Sequence, residues 1–454
     1  MYRLIFVFLI LVNVGFANFI GTNFNQRDLQ ILKEMDIPAS YITDYKLQRT
    51  YSKFLKYRKT KFIEHLNEAS LFLPKIKDIL KKEGVPSAFL FLVMAESNYT
   101  LDAKSNMKAI GLWQFMAPTA KRYGLKENMY VDERFDIVKS TEAASKYLKY
   151  LHNEFGKWYL AAIAYNCGEG RLIEAIARAS VDIYAKEHGI TKSVLRDRRI
   201  IRKYQLKRTS YYHLLRTYRK IQKWGIDPSI DTLLSVQRKF KRQYLPSESR
   251  EYIRKIVSYA LMSNRNFILD DSHLLNIGTS ASIATIKVKG GTLIRSIAKC
   301  SGLSYRQLRQ LNRQLKQAVI SPNVKTYDVY IPYPNLVTYN MNKENLDSTK
   351  YVIHRVIRGD TLEKIGRKYG INYSIIKDFN GLKGSVLSLN EKILIPIALN
   401  QKLPRTNIDY IIKSGDTLEK IAHSHSMDIA TLMHDNNLKT SIIRIGDKIV
   451  IKGR

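Results

Sequence analysis

Residues 89–97 read FLFLVMAES, an apolar stretch in which Glu96 is the single charge. Such a run predicts a helix buried on all sides. Burial disfavours the ionised form of a carboxyl group, so the pKa of Glu96 is expected to rise toward values at which the group donates a proton near neutral pH. The stretch therefore indicates an acid catalyst, or else a structural charge that reaches solvent or pairs with a nearby lysine.

Two later clusters favour the catalytic interpretation. Residues 111–116 read GLWQFM and residues 164–170 read AYNCGEG, which are loop-like groupings of aromatic, amide and glycine residues. A glycosidase normally needs a second carboxylate facing the first. Asp102, Asp132 and Glu142 are available, but none stands out. Without a partner, Glu96 has to act as acid and then as base, on a substrate that supplies its own nucleophile.

Length and charge set broader limits. The chain has 454 residues, which suggests about three domains. Lys and Arg number 75 against 40 Asp and Glu, a net charge of +35 that indicates an anionic polymer or surface as a neighbour. Nucleic acid, acidic lipid and anionic cell-wall glycopeptide all fit this charge.

The first residues favour an envelope location. Arg3 precedes an apolar run over residues 4–14, and small residues follow at 15–17, a pattern typical of a secretory signal peptide at residues 1–17. An uncleaved anchor reaching Ile20 is the alternative. No cysteine lies near the expected cleavage point, so a lipid-anchored terminus is not supported. We therefore expect a periplasmic or envelope protein, with membrane association left open and no nucleic acid partner.

Helical periodicity dominates the first half of the chain. It covers residues 29–80, 141–155 and 160–179, and the glycines near 168–170 are expected to form a tight loop that opens a helix at Arg171. Residues 186–242 contain 17 Lys and Arg against 4 Asp and Glu. This basic insertion, at about 182–242, is predicted to be a solvated helical face or a contact with an anionic wall or membrane.

A repeat organises the second half. Residues 359–365 and 415–421 share the sequence GDTLEKI, and the same offset pairs Asn380 with Asn436. Each copy is predicted to fold as strand, helix, helix, strand, with Asp360 and Glu363 as a helix-capping pair. A weaker copy begins at Gly290 and lacks the Asp that follows the first Gly in the others. The chain is thus expected to be an α+β multidomain protein, mainly α in its first part, followed by small βααβ modules.

Cysteines and histidines carry less information. Cys167 and Cys300 allow one disulfide at most, and Cys167 is expected to be a small packed side chain rather than a nucleophile, because no nearby His supplies a base. His423, His425 and His434 align with Arg367, Tyr369 and Asp378 of the preceding copy, so they indicate variable surface positions. No metal site and no cofactor is expected.

The ordered motifs around Glu96, Gln114 and Asn166, together with residues 245–252 (LPSESREY), resemble those of lytic murein transglycosylases. The similarity is greatest to the membrane-bound lytic murein transglycosylase D group, and the repeats resemble LysM domains. The resemblance implies a lysozyme-like helical domain over residues 73–260 after a helical segment at 18–72. It implies a degenerate LysM-like module at 284–335 and LysM modules at 350–397 and 408–453.

The resemblance also implies an activity. It is a lyase reaction that cleaves the β-1,4 bond between N-acetylmuramic acid and N-acetylglucosamine in peptidoglycan and leaves 1,6-anhydro ends, with Glu96 as the catalytic residue. Substrate contacts are expected from Ser97, Ser105, Gln114, Met116, Tyr165, Asn166 and Tyr252. In the LysM modules, glycan contacts are expected from Gly359, Asp360, Thr361, Gly415, Asp416 and Thr417.

Three features depart from the family pattern. Cys167 replaces a small residue, the basic insertion is long, and the lipid-attachment cysteine is absent. Two other functions stay open at this point, a muramidase that adds water and a noncatalytic peptidoglycan-binding scaffold.

Overall fold

The computed structural model describes residues 24–128, 130–238, 240–265, 282–321, 323–346, 350–382, 384–397, 407–424 and 428–452. The chain forms two compact units, residues 1–347 and 348–454. The signal peptide expected at residues 1–17 lies outside the described residues, and so does His425. Among the described helices, none has the length and apolar character needed to cross a membrane.

The first unit begins with a helical domain. Its helices are α1 (Gln26–Glu34), α2 (Tyr45–Tyr57), α3 (Lys59–Ala69), α4 (Leu73–Lys82), α5 (Leu90–Ser97), α6 (Ala117–Arg122), α7 (Ile137–Phe155), α8 (Trp158–Cys167), α9 (Glu169–His188), α10 (Lys192–Gln205), α11 (Tyr211–Gln222), α12 (Ile230–Leu234) and α13 (Ser247–Met262). The helical pattern expected over residues 29–80 is divided among α1 to α4.

Helix α5 is buried in this domain, as its apolar sequence predicts. Its residues from Leu90 to Ala95 are buried, and so is Ser97, whereas Glu96 keeps partial access to solvent. The helix ends because Asn98 adopts a left-handed conformation with φ of 50°, which asparagine tolerates better than most residues. Helix α13 packs against α5 and carries the side chains that approach Glu96.

The expected helix over residues 160–179 is broken at one residue. Gly168 has φ of 82°, so α8 ends at Cys167 and α9 begins at Glu169. The expectation that the second helix opens at Arg171 is therefore wrong by two residues. A single glycine provides the change of direction, because it reaches positive φ without steric cost.

The basic insertion folds as α10, α11 and α12, with α10 and α11 packed against each other and all three against α9. Glu174 of α9 is fully buried and bonds to Arg242, with Arg171 3.2 Å away. Lys220 likewise pairs with the buried Asp197 at 2.5 Å. Part of the basic charge thus stabilises the fold, and contact of its exposed remainder with a wall or membrane stays a prediction.

A small module completes the first unit. It consists of β1 (Ile283–Lys289), α14 (Ile294–Cys300), α15 (Tyr305–Leu311) and β2 (Thr326–Pro332), followed by α16 (Asn335–Asn342). Strands β1 and β2 are antiparallel, with Ile286 opposite Val329. The weaker third copy therefore has the same strand, helix, helix, strand order that the repeat predicts.

Buried polar bonds join this module to the helical domain. Tyr330 Oη donates to Asp136 Oδ1 at 2.6 Å, and Tyr327 Oη donates to Glu133 Oε1 at 3.2 Å. Asp136 also caps α7, and its burial raises the carboxyl pKa to about 6 against the hydrogen bond from Tyr330. Because the bonded hydroxyl and carboxyl groups are buried, breaking these bonds would leave them without hydrogen-bond partners, at a cost in free energy.

The second unit contains two further modules. The first comprises β3 (Lys350–Arg355), α17 (Leu362–Tyr369), α18 (Tyr373–Phe379) and β4 (Lys392–Ile397), and the second comprises β5 (Asn407–Ile411), α19 (Leu418–Ser424), α20 (Ile429–Asp435) and β6 (Lys448–Lys452). Each strand pair is antiparallel. Each module buries a separate small core of aliphatic and aromatic side chains.

The capping pair expected at Asp360 and Glu363 is wrong. Thr361 is the N-cap of α17, and its Oγ1 accepts from the backbone of Lys364 at 3.2 Å. Asp360 instead stabilises the preceding turn, since its carboxylate accepts from the Ile357 backbone at 2.9 Å and contacts His354 Nε2 at 2.8 Å. The threonine lies one position nearer the helix, where an N-cap side chain reaches the free amide groups.

One asparagine recurs as a bridge in all three modules. The side chain of Asn380 donates to the carbonyl of Leu394 and accepts from its backbone N–H, both at 2.7 Å. Asn312 makes the same two bonds to Tyr330, and Asn436 makes them to Val450. This side chain therefore replaces a strand partner on the last strand of each module.

Candidate active site

A cleft of about 1030 Å³ opens over the end of α5 in the helical domain. Helices α2, α5, α8 and α13 and the loop over residues 105–116 provide its walls. Of the expected site residues in this domain, it contains Glu96, Ser105, Gln114, Met116, Tyr165, Asn166 and Tyr252.

Glu96 lies in this cleft with a tyrosine and a lysine. Tyr252 Oη donates to Glu96 Oε1 at 2.5 Å. Burial raises the pKa of the Glu96 carboxyl to about 7, while the Tyr252 bond and the charge of Lys255 oppose the rise and Glu248 adds to it. A carboxyl group with this pKa can donate a proton and later accept one near neutral pH.

Lys255 was missed in the sequence. Its Nζ donates to the carbonyl of Ala95 at 2.6 Å, and burial lowers its pKa. Lys255 follows Tyr252 by three positions on α13, so both side chains face the same side of the helix. That spacing was the available signal, although it identifies a neighbour of Glu96 only once α13 is known to pack on α5.

The loop of residues 111–116 is fixed by a buried tryptophan. Trp113 Nε1 donates to Thr141 Oγ1 at 2.9 Å, and the Trp113 carbonyl accepts from Tyr165 Oη at 2.6 Å. Gly111 has φ of 78°, and a Cβ there would overlap the backbone of Arg134. Any larger residue at 111 would therefore displace the loop that carries Gln114.

Gln114 and Ser105 occupy the same wall of the cleft. Gln114 has φ of 47°, and its amide nitrogen donates to the carbonyl of Gly111 at 2.8 Å. Ser105 accepts from the backbone of Ala109 through its hydroxyl at 3.0 Å. Local bonds hold both side chains in place before any ligand arrives.

Asn166 is oriented from α13. Ser249 is buried and donates to Asn166 Oδ1 at 2.7 Å, which leaves the amide NH2 group of Asn166 as a donor. The neighbouring Cys167 is packed, and burial raises the pKa of its thiol to about 11. The thiol is therefore protonated near neutral pH, which argues against a nucleophile.

The structure does not place Ser97 in the cleft. Its side chain is buried, and its hydroxyl donates to the Val93 carbonyl of its own helix at 3.2 Å. One residue along a helix rotates a side chain by about 100°, so Glu96 and Ser97 face different surroundings. The expected substrate contact of Ser97 consequently lacks support in the structure.

The carboxylates considered as partners of Glu96 lie elsewhere. Asp102 is 3.5 Å from Arg313, Asp132 is paired with Arg134 at 2.8 Å, and Glu142 is exposed on α7. Two different carboxylates, Glu248 and Glu251, line the cleft.

The expected glycan-binding residues of the repeated modules form turns. Gly359 has φ of 92° and Gly415 has φ of 87°. Asp416 accepts from the Lys413 backbone at 2.8 Å, and Thr417 caps α19 by accepting from Lys420 at 3.2 Å. Thr361 and Thr417 are both exposed, so the equivalent turns of the two modules are accessible to a ligand.

No group of His, Cys, Asp and Glu side chains within the described part of the chain has an arrangement suited to a metal ion. His434 is exposed at the end of α20, as expected of a variable surface position. Cys167 and Cys300 are both free thiols.

Known sequence families match the central part of the helical domain and the three small modules. Residues 74–186 match the family described as Transglycosylase SLT domain. Residues 282–348 match the family described as Lytic transglycosylase MltD, LysM-like domain, and residues 354–396 and 410–452 match the LysM domain. The chain therefore combines a transglycosylase SLT domain with LysM-type modules. The resemblance to SLT and LysM domains and the α+β architecture are thereby confirmed.

Individual proteins of known name match this chain over different lengths. Membrane-bound lytic murein transglycosylase D of Escherichia coli (strain K12) is 24% identical over 394 residues, which are 82% of this chain and 74% of the relative. A putative tributyltin chloride resistance protein of Alteromonas sp. (strain M-1) is 36% identical over 110 residues, 24% of this chain and 53% of that one. The crystal structure of the Bacillus cereus spore cortex-lytic enzyme SleL matches at 26% identity over 23% of this chain and 23% of SleL. The TM-score of 0.15 supports no similarity of overall fold.

Proposed function

We propose that this lytic transglycosylase cleaves the β-1,4 bond between N-acetylmuramic acid and N-acetylglucosamine in peptidoglycan and leaves a 1,6-anhydro end. The observation that carries the proposal is Glu96, a single carboxyl group whose pKa is raised to about 7 at the end of a buried helix and in an open cleft. A polysaccharide lyase of this kind needs a group that is an acid and a base at one pH.

In the first step, the protonated Glu96 carboxyl donates to the glycosidic oxygen as its bond to the muramyl C1 breaks. In the second step, the Glu96 carboxylate takes the proton from the muramyl C6 hydroxyl, whose oxygen bonds to C1. The proton count balances, and no water is consumed. Tyr252 and Lys255 stabilise the carboxylate that exists between the two steps.

The remaining cleft residues have a positioning role in this proposal. Ser105, Gln114 and Asn166 provide polar groups for the acetamido and hydroxyl groups of the sugars, and Met116, 42% exposed, provides an apolar surface. Tyr165 holds the Trp113 carbonyl and so fixes the loop that carries Gln114. Orientation by such groups lowers the entropic cost of reaching the transition state.

Hydrolysis is a second candidate because Glu248 and Glu251 also line the cleft. A second carboxylate could activate water on the far side of the sugar. Glu251, however, is paired with Arg254 at 2.9 Å. The charge of Glu248 affects the pKa of Glu96 less than burial, Tyr252 or Lys255 does. We therefore favour the reaction that uses the substrate's own C6 hydroxyl.

The repeated modules are proposed to attach the enzyme to glycan strands through the turns at Gly359–Thr361 and Gly415–Thr417. The signal peptide at residues 1–17, export to the periplasm and contact of the basic insertion with anionic wall or membrane belong to the same proposal. Cleavage after residue 17 would be seen by mass measurement of the mature protein.

Mass spectrometry of products from purified sacculi tests the reaction. The wild-type protein should release anhydro-muropeptides, and Glu96→Gln should release none while still sedimenting with sacculi. Glu142→Gln, on an exposed carboxylate of α7, is the matched control and should retain full activity. Reducing muramic ends would instead assign the muramidase reaction, and binding without any product from wild type would assign the scaffold.

A further inference from the structure

Helix α2 presents a basic face to the cleft. Tyr45, Lys46, Arg49, Thr50 and Lys53 line the cleft, and their spacing places them along one side of the helix. The opposite side is buried in the domain core through Leu47, Gln48, Tyr51 and Phe54. The helix lies outside residues 74–186, which match the SLT domain.

Three cations of this face are available to a ligand. Lys46, Arg49 and Lys53 are exposed, and the described part of the chain offers none of them an ion pair. The nearest carboxylate in sequence, Asp44, is engaged as the N-cap of α2 and lies 3.5 Å from Arg254. We call Lys46, Arg49 and Lys53 the basic strip.

The other cations of the cleft already have partners. Lys255 donates to the Ala95 carbonyl, and the Arg58 guanidinium stacks over the Phe54 ring at 4.8 Å. Among the cleft carboxylates, Glu251 is bound by Arg254 and Glu96 by Tyr252, whereas Glu248 is exposed and offsets one of the three cations. The unpaired charge along this cleft is thus predominantly positive, and it is concentrated on α2.

We propose that the basic strip binds the carboxylates of the stem peptides carried by the glycan substrate. This inference rests on the proposed function, since it assumes that the muramyl sugar next to the scissile bond lies beside Glu96. The lactyl group of that sugar carries the peptide outward from the ring, and the free carboxylates of the peptide are the anionic groups of the strand. Arginine and lysine at successive turns of one helix suit such a flexible, multiply charged ligand.

The strip therefore makes peptide charge a determinant of specificity. Each exposed charge contributes weakly, so loss of one cation should lower kcat/KM by a few-fold and loss of all three by roughly tenfold. Addition of salt should reduce the effect, because exposed charges are screened over about 8 Å at physiological ionic strength.

The test compares two forms of one substrate. Sacculus fragments with acetylated amines are used directly, or after conversion of their free carboxylates to neutral amides with a carbodiimide and glycinamide. The strip variant is the full-length chain that carries Lys46→Gln, Arg49→Gln and Lys53→Gln together. The control variant is the full-length chain that carries Lys61→Gln, Lys81→Gln and Lys146→Gln together. The control removes the same charge from exposed positions that do not line the cleft.

The wild type and the control should both lose about tenfold in kcat/KM when the carboxylates are amidated. The strip variant should process both substrates at the lower rate, with an unchanged melting temperature. A strip variant that retains the wild-type preference for the charged substrate would overturn the inference, as would equal losses in the strip variant and the control. Loss of binding to anionic lipid vesicles with unchanged substrate preference would also overturn it, in favour of a membrane role.

Failure of the proposed function gives a different result. In that case the wild-type protein releases no muropeptides from either substrate, which overturns the inference together with its premise. If wild type is active and only the substrate preference is unaffected by the strip variant, the inference fails and the proposed function stands.

Discussion

Tyr252 Oη donates a 2.5 Å hydrogen bond to Glu96 Oε1, and so joins helix α13 to the end of helix α5 across 156 positions of sequence. The bond favours the ionised carboxyl, whereas burial favours the protonated one, and burial has the larger effect. The balance leaves the pKa of Glu96 at about 7. Acid and base forms are therefore both populated near neutral pH, as a residue with two successive proton transfers requires.

Tyr252→Phe should shift the pH dependence of catalysis. The hydrogen bond lowers the pKa of Glu96, so its removal should raise that pKa and move the alkaline limb of kcat/KM up by on the order of one pH unit. Muropeptide release from pH 5 to 9 measures the shift. Tyr57→Phe, on an exposed tyrosine outside the cleft, is the control. An alkaline limb at the wild-type position would show that Tyr252 does not tune the acid.

Glu96→Gln should stabilise the protein at alkaline pH while it abolishes lysis. The folded-state pKa of about 7 exceeds the ordinary value of 4.5, so ionised Glu96 costs stability increasingly as pH rises through this window. The free energy of unfolding should rise by roughly 1 to 3 kcal/mol at pH 8 and change little at pH 4. Denaturant unfolding at the two pH values measures this, and an equal change at both would contradict it.

Ser249→Ala should impair catalysis through Asn166. The hydroxyl of Ser249 fixes the amide of Asn166, so its removal should lower kcat/KM by roughly tenfold. The substitution should also lower the free energy of unfolding by about 1 kcal/mol. The decisive measurement is a double-mutant cycle. If the two residues act as a unit, adding Ser249→Ala to Asn166→Ala should cost little more than Asn166→Ala alone. Additive losses would separate their roles.

Tyr330→Phe should weaken the junction between the helical domain and the small module that contains β1 and β2. It removes the 2.6 Å bond to buried Asp136, whose pKa is about 6. The loss should be about 1 to 3 kcal/mol at pH 8, where Asp136 is ionised, and smaller at pH 4.5, where it is protonated. Thermal unfolding at both pH values tests this, with the exposed Tyr333→Phe as control. A loss independent of pH would exclude the charge-assisted bond as its cause.

Asn380→Ala together with Asn436→Ala should unfold the two modules of the second unit. Each asparagine holds the last strand through two bonds, and modules this small have little stability in reserve. Sedimentation with sacculi should fall strongly, whereas turnover of soluble glycan fragments by the helical domain should stay unchanged. Full retention on sacculi would place wall binding outside these modules.

Local sequence determined much of this protein. Helical periodicity and the GDTLEKI repeat predicted a mainly helical part followed by βααβ modules, because both patterns are read directly from the order of residues. The ordered motifs around Glu96 added the resemblance to lytic transglycosylases. Local reasoning was wrong where near-equivalent residues compete. It assigned the cap of α17 to Asp360 instead of Thr361, and it opened α9 at Arg171 rather than at Glu169.

The tertiary structure alone decided the surroundings of the acid. Lys255 and Glu248 approach Glu96 only because α13 packs against α5, and the basic strip lines the cleft only because the apolar side of α2 is buried in the core. Ser97, adjacent to Glu96 in sequence, is turned away from the cleft by the helix itself. Glu96 was thus singled out as the proposed acid by its own segment, whereas its pKa and the side chains around it depend on distances between segments far apart in the chain.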